Sequence, residues 1–73
     1  MNQQERVLRH LRDYGSITSL EAMREYGIMR LASRVSSLKK DGYPIVAERM
    51  EVKNRYGEKV YIAKYIMEGT NNE

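Results

Sequence analysis

The chain has 73 residues, no cysteine, one histidine and a formal net charge of +3. That length suits one domain with a small core; the absence of cysteine excludes disulfides and thiolate metal sites, and His10 alone cannot assemble an imidazole site. No apolar stretch nears the roughly 20 residues that span a bilayer, and the stretch from Met1 to Arg6 lacks the apolar core of a signal peptide, so a soluble cytoplasmic chain is expected, with no cofactor and no membrane partner.

From Gln3 to Tyr14, the residues Val7, Leu8, Leu11 and Tyr14 recur at helical spacing while Arg6, Arg9, Arg12 and Asp13 take the other face, which predicts a first helix. Gly15 suits a left-handed cap at its end, and Ser16-Ile17 are expected to form a short extended link. Thr18-Ser19-Leu20-Glu21 is a capping box: the Thr18 hydroxyl accepts from the Glu21 N–H while the Glu21 carboxylate returns to the Thr18 N–H. It starts a second helix of about two turns, with Leu20, Met23 and Tyr26 as its apolar stripe, which Gly27 breaks.

Ile28, Leu31, Val35 and Leu38, with Ala32 beside them, form the inner stripe of a third helix centred on Arg30 to Lys40. Asp41-Gly42 end it, and Pro44 forbids its continuation. At about 100° per residue its outward side carries Arg30, Ser33, Ser37 and Lys40, with Arg34 on the flank and Lys39 near the apolar edge, where its stem is expected to snorkel. The expected core is Val7, Leu8, Leu11, Leu20, Met23, Leu31, Val35 and Leu38.

After Pro44, β-branched and apolar residues alternate with charge, which predicts strands from Ile45 to Lys53 and from Lys59 to Ile66 joined by a loop at Asn54-Arg55-Tyr56-Gly57-Glu58. On the second strand Val60 and Ile62 compete with Tyr61, Ala63 and Tyr65, so alternation leaves the choice of buried face open. A domain over residues 1–68 is expected to be followed by a polar, frayed tail at residues 69–73. The fold class is α+β: a three-helix helix-turn-helix core with a two-stranded hairpin as a wing.

Charge follows the same division. Residues 30–40 hold Arg30, Arg34, Lys39 and Lys40 without an acid, residues 53–64 hold Lys53, Arg55, Lys59 and Lys64 against Glu58, and the rest of the chain is net acidic. Two basic segments on an otherwise acidic chain are the distribution of a polyanion-binding face. A helix–glycine turn–helix lays one helix on the phosphate backbone and aims the next at base edges, and Ser33 and Ser37 keep that helix slim enough for a groove about 12 Å wide. Arg30, Arg34 and Lys40 supply donors there, while Lys53, Arg55 and Lys59 on the hairpin suit flanking phosphates or the minor groove, with Tyr56 placed to pack along a sugar.

Thr18-Ser19-Leu20-Glu21-Ala22, Tyr26-Gly27-Ile28, the run from Arg34 to Lys39 and Gly42-Tyr43-Pro44-Ile45 resemble the successive signatures of short winged helix-turn-helix proteins of phages, prophages and bacteria, and Tyr56-Gly57 with Tyr65 are similar to their wing. The resemblance spans nearly all of residues 3–66. It implies a DNA-binding regulator acting on double-stranded DNA in a bacterial or phage-infected cytoplasm, with Val35 and Leu38 in the core and Ser36 and Ser37 more exposed.

An enzyme is not expected, because no nucleophile, base and orienting group occur together, and His10 reads as an ordinary surface or boundary histidine. The competing reading is a phage-encoded winged helix that modulates a host protein, with Met29, Met50 and Met67 as adaptable contacts. One continuous positive face over the third helix and the loop favours nucleic acid, whereas packing that separates them favours the protein partner. A monomer or a weak homodimer is expected, since no heptad seam is present.

Overall fold

A computed structural model describes residues 2–68; the expected tail at residues 69–73 lies outside them. The elements in chain order are α1 (Gln3–Tyr14), β1 (Ser16–Thr18), α2 (Ser19–Tyr26), α3 (Leu31–Lys40), β2 (Ile45–Lys53) and β3 (Lys59–Met67). No helix among the described residues is long and apolar enough to cross a membrane.

Local chemistry sets each helix boundary. Asn2 caps α1 in a capping box with Glu5, and Thr18 caps α2 in the expected one with Glu21, its hydroxyl accepting from the Glu21 N–H at 3.1 Å. Gly15 and Gly27 close the two helices at φ 84° and 68°. A Cβ on either would meet nothing within 4 Å, so the left-handed backbone, rather than lack of space, calls for glycine. Because Thr18 is buried as well as capping, Thr18→Ala should cost about 1–2 kcal/mol in a urea titration. A loss below about 0.3 kcal/mol would show that the cap contributes little.

The helix-turn-helix junction departs from expectation in one respect. Ile28 and Arg30 lie outside the third helix, which begins at Leu31 with Arg30 as its N-cap and no side-chain cap bond. Ile28 instead sits in the turn, fully buried, its N–H returning to the Ala22 carbonyl at 3.0 Å. The turn thus buries an apolar anchor of its own.

The sheet has three strands, not two, in the order β1-β3-β2, all antiparallel. The expected link at Ser16-Ile17 is the third strand: Ser16, Ile17 and Thr18 pair with Ile66, Tyr65 and Lys64. Ile17 alternates inward and is fully buried, which supplies the apolar burial that makes so short a strand worthwhile. Met67 extends β3 by one residue beyond the prediction and donates its N–H to the Gly15 carbonyl at 2.9 Å.

The core gathers Val7 and Leu11 of α1, Ile17 of β1, Ala22 of α2, Ile28 of the turn, Leu31, Val35 and Leu38 of α3, Ile45 of β2 and Met67 of β3. Leu8, Tyr26, Tyr43 and Tyr65 pack around it. Two expected core members are displaced: Leu20 is 42% exposed and Met23 44%. The Thr18 cap and the β1–β3 pairing fix the rotation of α2, so its inner line runs Thr18, Ala22, Tyr26 at intervals of four, and Leu20 and Met23 turn aside. Met67, a possible exposed contact by sequence, is buried, whereas Met29 is exposed.

His10, expected at the surface or the boundary, is buried. Its Nδ1 lies 2.6 Å from the Tyr26 hydroxyl, and its ring sits 4.7 Å from that of Tyr14. The histidine joins α1 to α2 through its Nδ1, which has the partner that a buried polar atom needs. Burial raises the Tyr26 phenol above its ordinary pKa, opposed by the Arg6 guanidinium, which lies 5.3 Å from the ring centroid.

Candidate nucleic-acid interface

The outward surface of α3 is built by what its other sides touch. Leu31, Val35 and Leu38 face the core. On one flank Arg34 donates through Nε to Gln3 Oε1 at 3.2 Å, and Asp41 accepts from Gln4 Nε2 at the same distance, so this flank rests on the start of α1. Ser37 lies between these two residues and is half-buried. On the opposite flank Ala32, Ser36 and Lys39 line a shallow groove with Tyr65 of β3, which Lys40 borders from the outward side. Ser33 and Lys40 lie between the flanks, both exposed. The free surface is therefore Ala32, Ser33, Ser36, Lys39 and Lys40, slim over its first two turns and basic at its end.

The β2–β3 register shows how this surface continues into the hairpin. Ile45 pairs with Met67, Ala47 with Tyr65, Arg49 with Ala63, Glu51 with Tyr61 and Lys53 with Lys59, all on one face. At its base this face covers the helices through Ile45, Met67 and Tyr65; towards the tip it carries Arg49, Lys53 and Lys59 against Glu51. The Arg49 guanidinium lies over the Tyr61 ring at 4.7 Å. Tyr65 thus belongs both to the α3 groove and to the basic face of the ribbon.

Lys53 and Lys59 stand directly opposite each other, an arrangement of like charge that opposes pairing. Among the described residues the ion pair is Arg9–Asp13, at 3.6 Å on α1, and the basic side chains of α3 and the hairpin have no described carboxylate within 4 Å.

The connecting loop is ordered by one side chain. Asn54 Oδ1 accepts from the Tyr56 N–H at 2.9 Å and the Glu58 N–H at 3.0 Å, while its Nδ2 donates to Glu58 Oε1 at 2.9 Å. This Asx turn holds Arg55 and Tyr56 outward at the tip, both exposed.

The candidates read from sequence accordingly fall into four places. Ser33 and Lys40 are on the free surface of α3, with Ser37 and Arg34 on its α1 flank and Arg30 exposed at its N-cap. Lys53, Arg55, Tyr56 and Lys59 are on the hairpin tip. Ala32, Ser36, Lys39 and Arg49 were not among the candidates. Lys39 lies near the apolar edge of the helix, but that edge opens onto Tyr65 instead of closing on the core; Arg49 is signalled by its even spacing from Lys53 along an alternating strand.

No curated protein and no solved structure matches the chain significantly. A family model described as a winged helix-turn-helix domain matches residues 2–69, a type of domain that in general binds DNA. That match spans every element described above, from the Asn2 cap to the last strand, and the chain belongs to the winged helix-turn-helix domain family.

Proposed function

We propose that the protein binds double-stranded DNA sequence-specifically, with α3 in the major groove and the hairpin on flanking backbone or the minor groove, as a small transcriptional regulator of a bacterium or phage. The role is one of binding, without catalysis. The observation that carries it is the predominantly basic face, without a close ion pair among the described residues, that runs from Lys39 and Lys40 past Tyr65 to the Lys53–Lys59 pair. A like-charged pair on an otherwise well-formed ribbon is relieved when phosphates sit over it. The N-terminus of α3 adds to this, because its first N–H groups have no side-chain cap and Arg30 stands beside them, an arrangement suited to a phosphate.

Within this reading, Ser33, Ser36 and Ala32 let the helix approach base edges closely, while Arg30 and Arg34 supply the long donors that discriminate guanine. Arg34 must leave Gln3 to reach a base, so its contact replaces one hydrogen bond by another.

Selection from a randomised duplex pool followed by anisotropy titration tests the proposal. An enriched site should bind at least about a thousandfold more tightly than random duplex. Failure to bind any duplex at low salt would overturn it and leave the fold to a protein partner.

A further inference from the structure

The face of the β2–β3 ribbon turned away from its basic side has the wrong composition for water. By register it carries Val46 opposite Ile66, Met50 opposite Ile62 and Val52 opposite Val60, with one polar pair, Glu48 opposite Lys64. Antiparallel ribbons ordinarily bury the apolar face and solvate the charged one. Beyond its base this ribbon does the reverse: charge continues from the core-facing side, and the apolar residues face outward, with Val46, Met50 and Val60 between 37% and 39% exposed.

We infer that this outer face is a docking surface for a second copy of the same chain, the two ribbons packing face to face about a two-fold axis that runs along the strands. The register supplies the argument for the occupant. An axis along the ribbon carries β2 of one copy over β3 of the other, so Glu48 of each lies over Lys64 of the other, and Val46 over Ile66, Met50 over Ile62 and Val52 over Val60. The single charged pair is therefore complementary to itself, and all the remaining contacts are apolar. An axis across the ribbon through that pair would set Glu48 on Glu48. Packing on this side leaves the basic face of each ribbon uncovered, so the inference does not rest on the DNA-binding role.

Size sets the strength of the association. Nine residues per strand make a face about 30 Å long and 10 Å wide, roughly 300 Å² per copy, well under the ~800 Å² per partner of a stable complex. The dimer should accordingly dissociate on dilution, with a midpoint on the order of 100 µM.

Sedimentation equilibrium of the full chain without DNA, over a wide concentration range, tests this with a charge exchange. Glu48→Lys and Lys64→Glu should each raise the midpoint about tenfold or more, because like charges then meet across the axis. An equimolar mixture of the two variants should associate at or below the wild-type midpoint, a rescue in trans that a purely intramolecular Glu48–Lys64 role cannot give. The double variant should also return to the wild-type value, and circular dichroism establishes that each variant is folded. A wild-type chain monomeric up to about 1 mM, a midpoint unmoved by either substitution, or a mixture no more associated than its components would each overturn the inference, the first assigning the face to a different occupant.

Discussion

Leu38→Ala should leave the domain close to unfolded at room temperature. Leu38 is 2% exposed at the centre of the contact between α3 and the rest of the core, and its carbonyl also accepts from the N–H groups of Asp41 and Tyr43 that turn the chain towards β2. Truncating a buried leucine costs about 2–5 kcal/mol, against a total of about 4–11 kcal/mol for a chain of this length. A thermal melt should lose on the order of 10–40 °C. Leu20→Ala provides the contrast: apolar by sequence and expected in the core, it is half-exposed in the structure, and its loss should shift the same melt by only a few degrees. Equal shifts for the two would contradict the packing described for α2.

Removing Lys39, Lys40, Lys53 and Lys59 together, each as Ala, should lower affinity for duplex DNA on the order of 100-fold at low salt. It should also flatten the dependence of log K on log salt by up to about 3.6, since each neutralised phosphate contributes about 0.9 to the slope. The loss should be similar for a selected site and for random duplex, because phosphate contacts carry no code. Arg30→Ala or Arg34→Ala should instead narrow the ratio between the two duplexes. A quadruple variant with an unchanged salt slope would place the DNA elsewhere on the molecule and remove the basis of the proposed interface.

Signals local to a few residues were readable from sequence alone. The Thr18–Glu21 capping box, the glycines at 15 and 27 and the stop before Pro44 mark helix ends in the order in which they occur, and the hairpin loop at residues 54–58 is where glycine and asparagine put it. What sequence did not show depends on contacts between distant segments. β1 is a strand only because β3 arrives beside it, and the same pairing sets the rotation of α2 that exposes Leu20 and Met23. His10 is drawn inside by a hydroxyl sixteen positions away, which no helical periodicity signals.

The ambiguity of β3 had a different source. Alternation could not choose a face because both faces carry apolar residues: Tyr65 and Met67 over the helices, Ile62 and Val60 on the outside. For the interface, periodicity placed Ser33 and Lys40 on the open side of α3, but only the positions of α1 and Tyr65 distinguish its two flanks.

The strand order also bears on how the chain folds. β3 lies between β1, which immediately follows the first helix, and β2, so the middle strand of the sheet is the last of the described elements in chain order. The helices and their caps depend on near neighbours and form early, whereas Ile17 gains Tyr65 as its strand partner, and Ile45 gains Met67, only when this final segment docks. Until then the nascent chain holds two unpaired strands with apolar side chains, the species most open to aggregation or proteolysis.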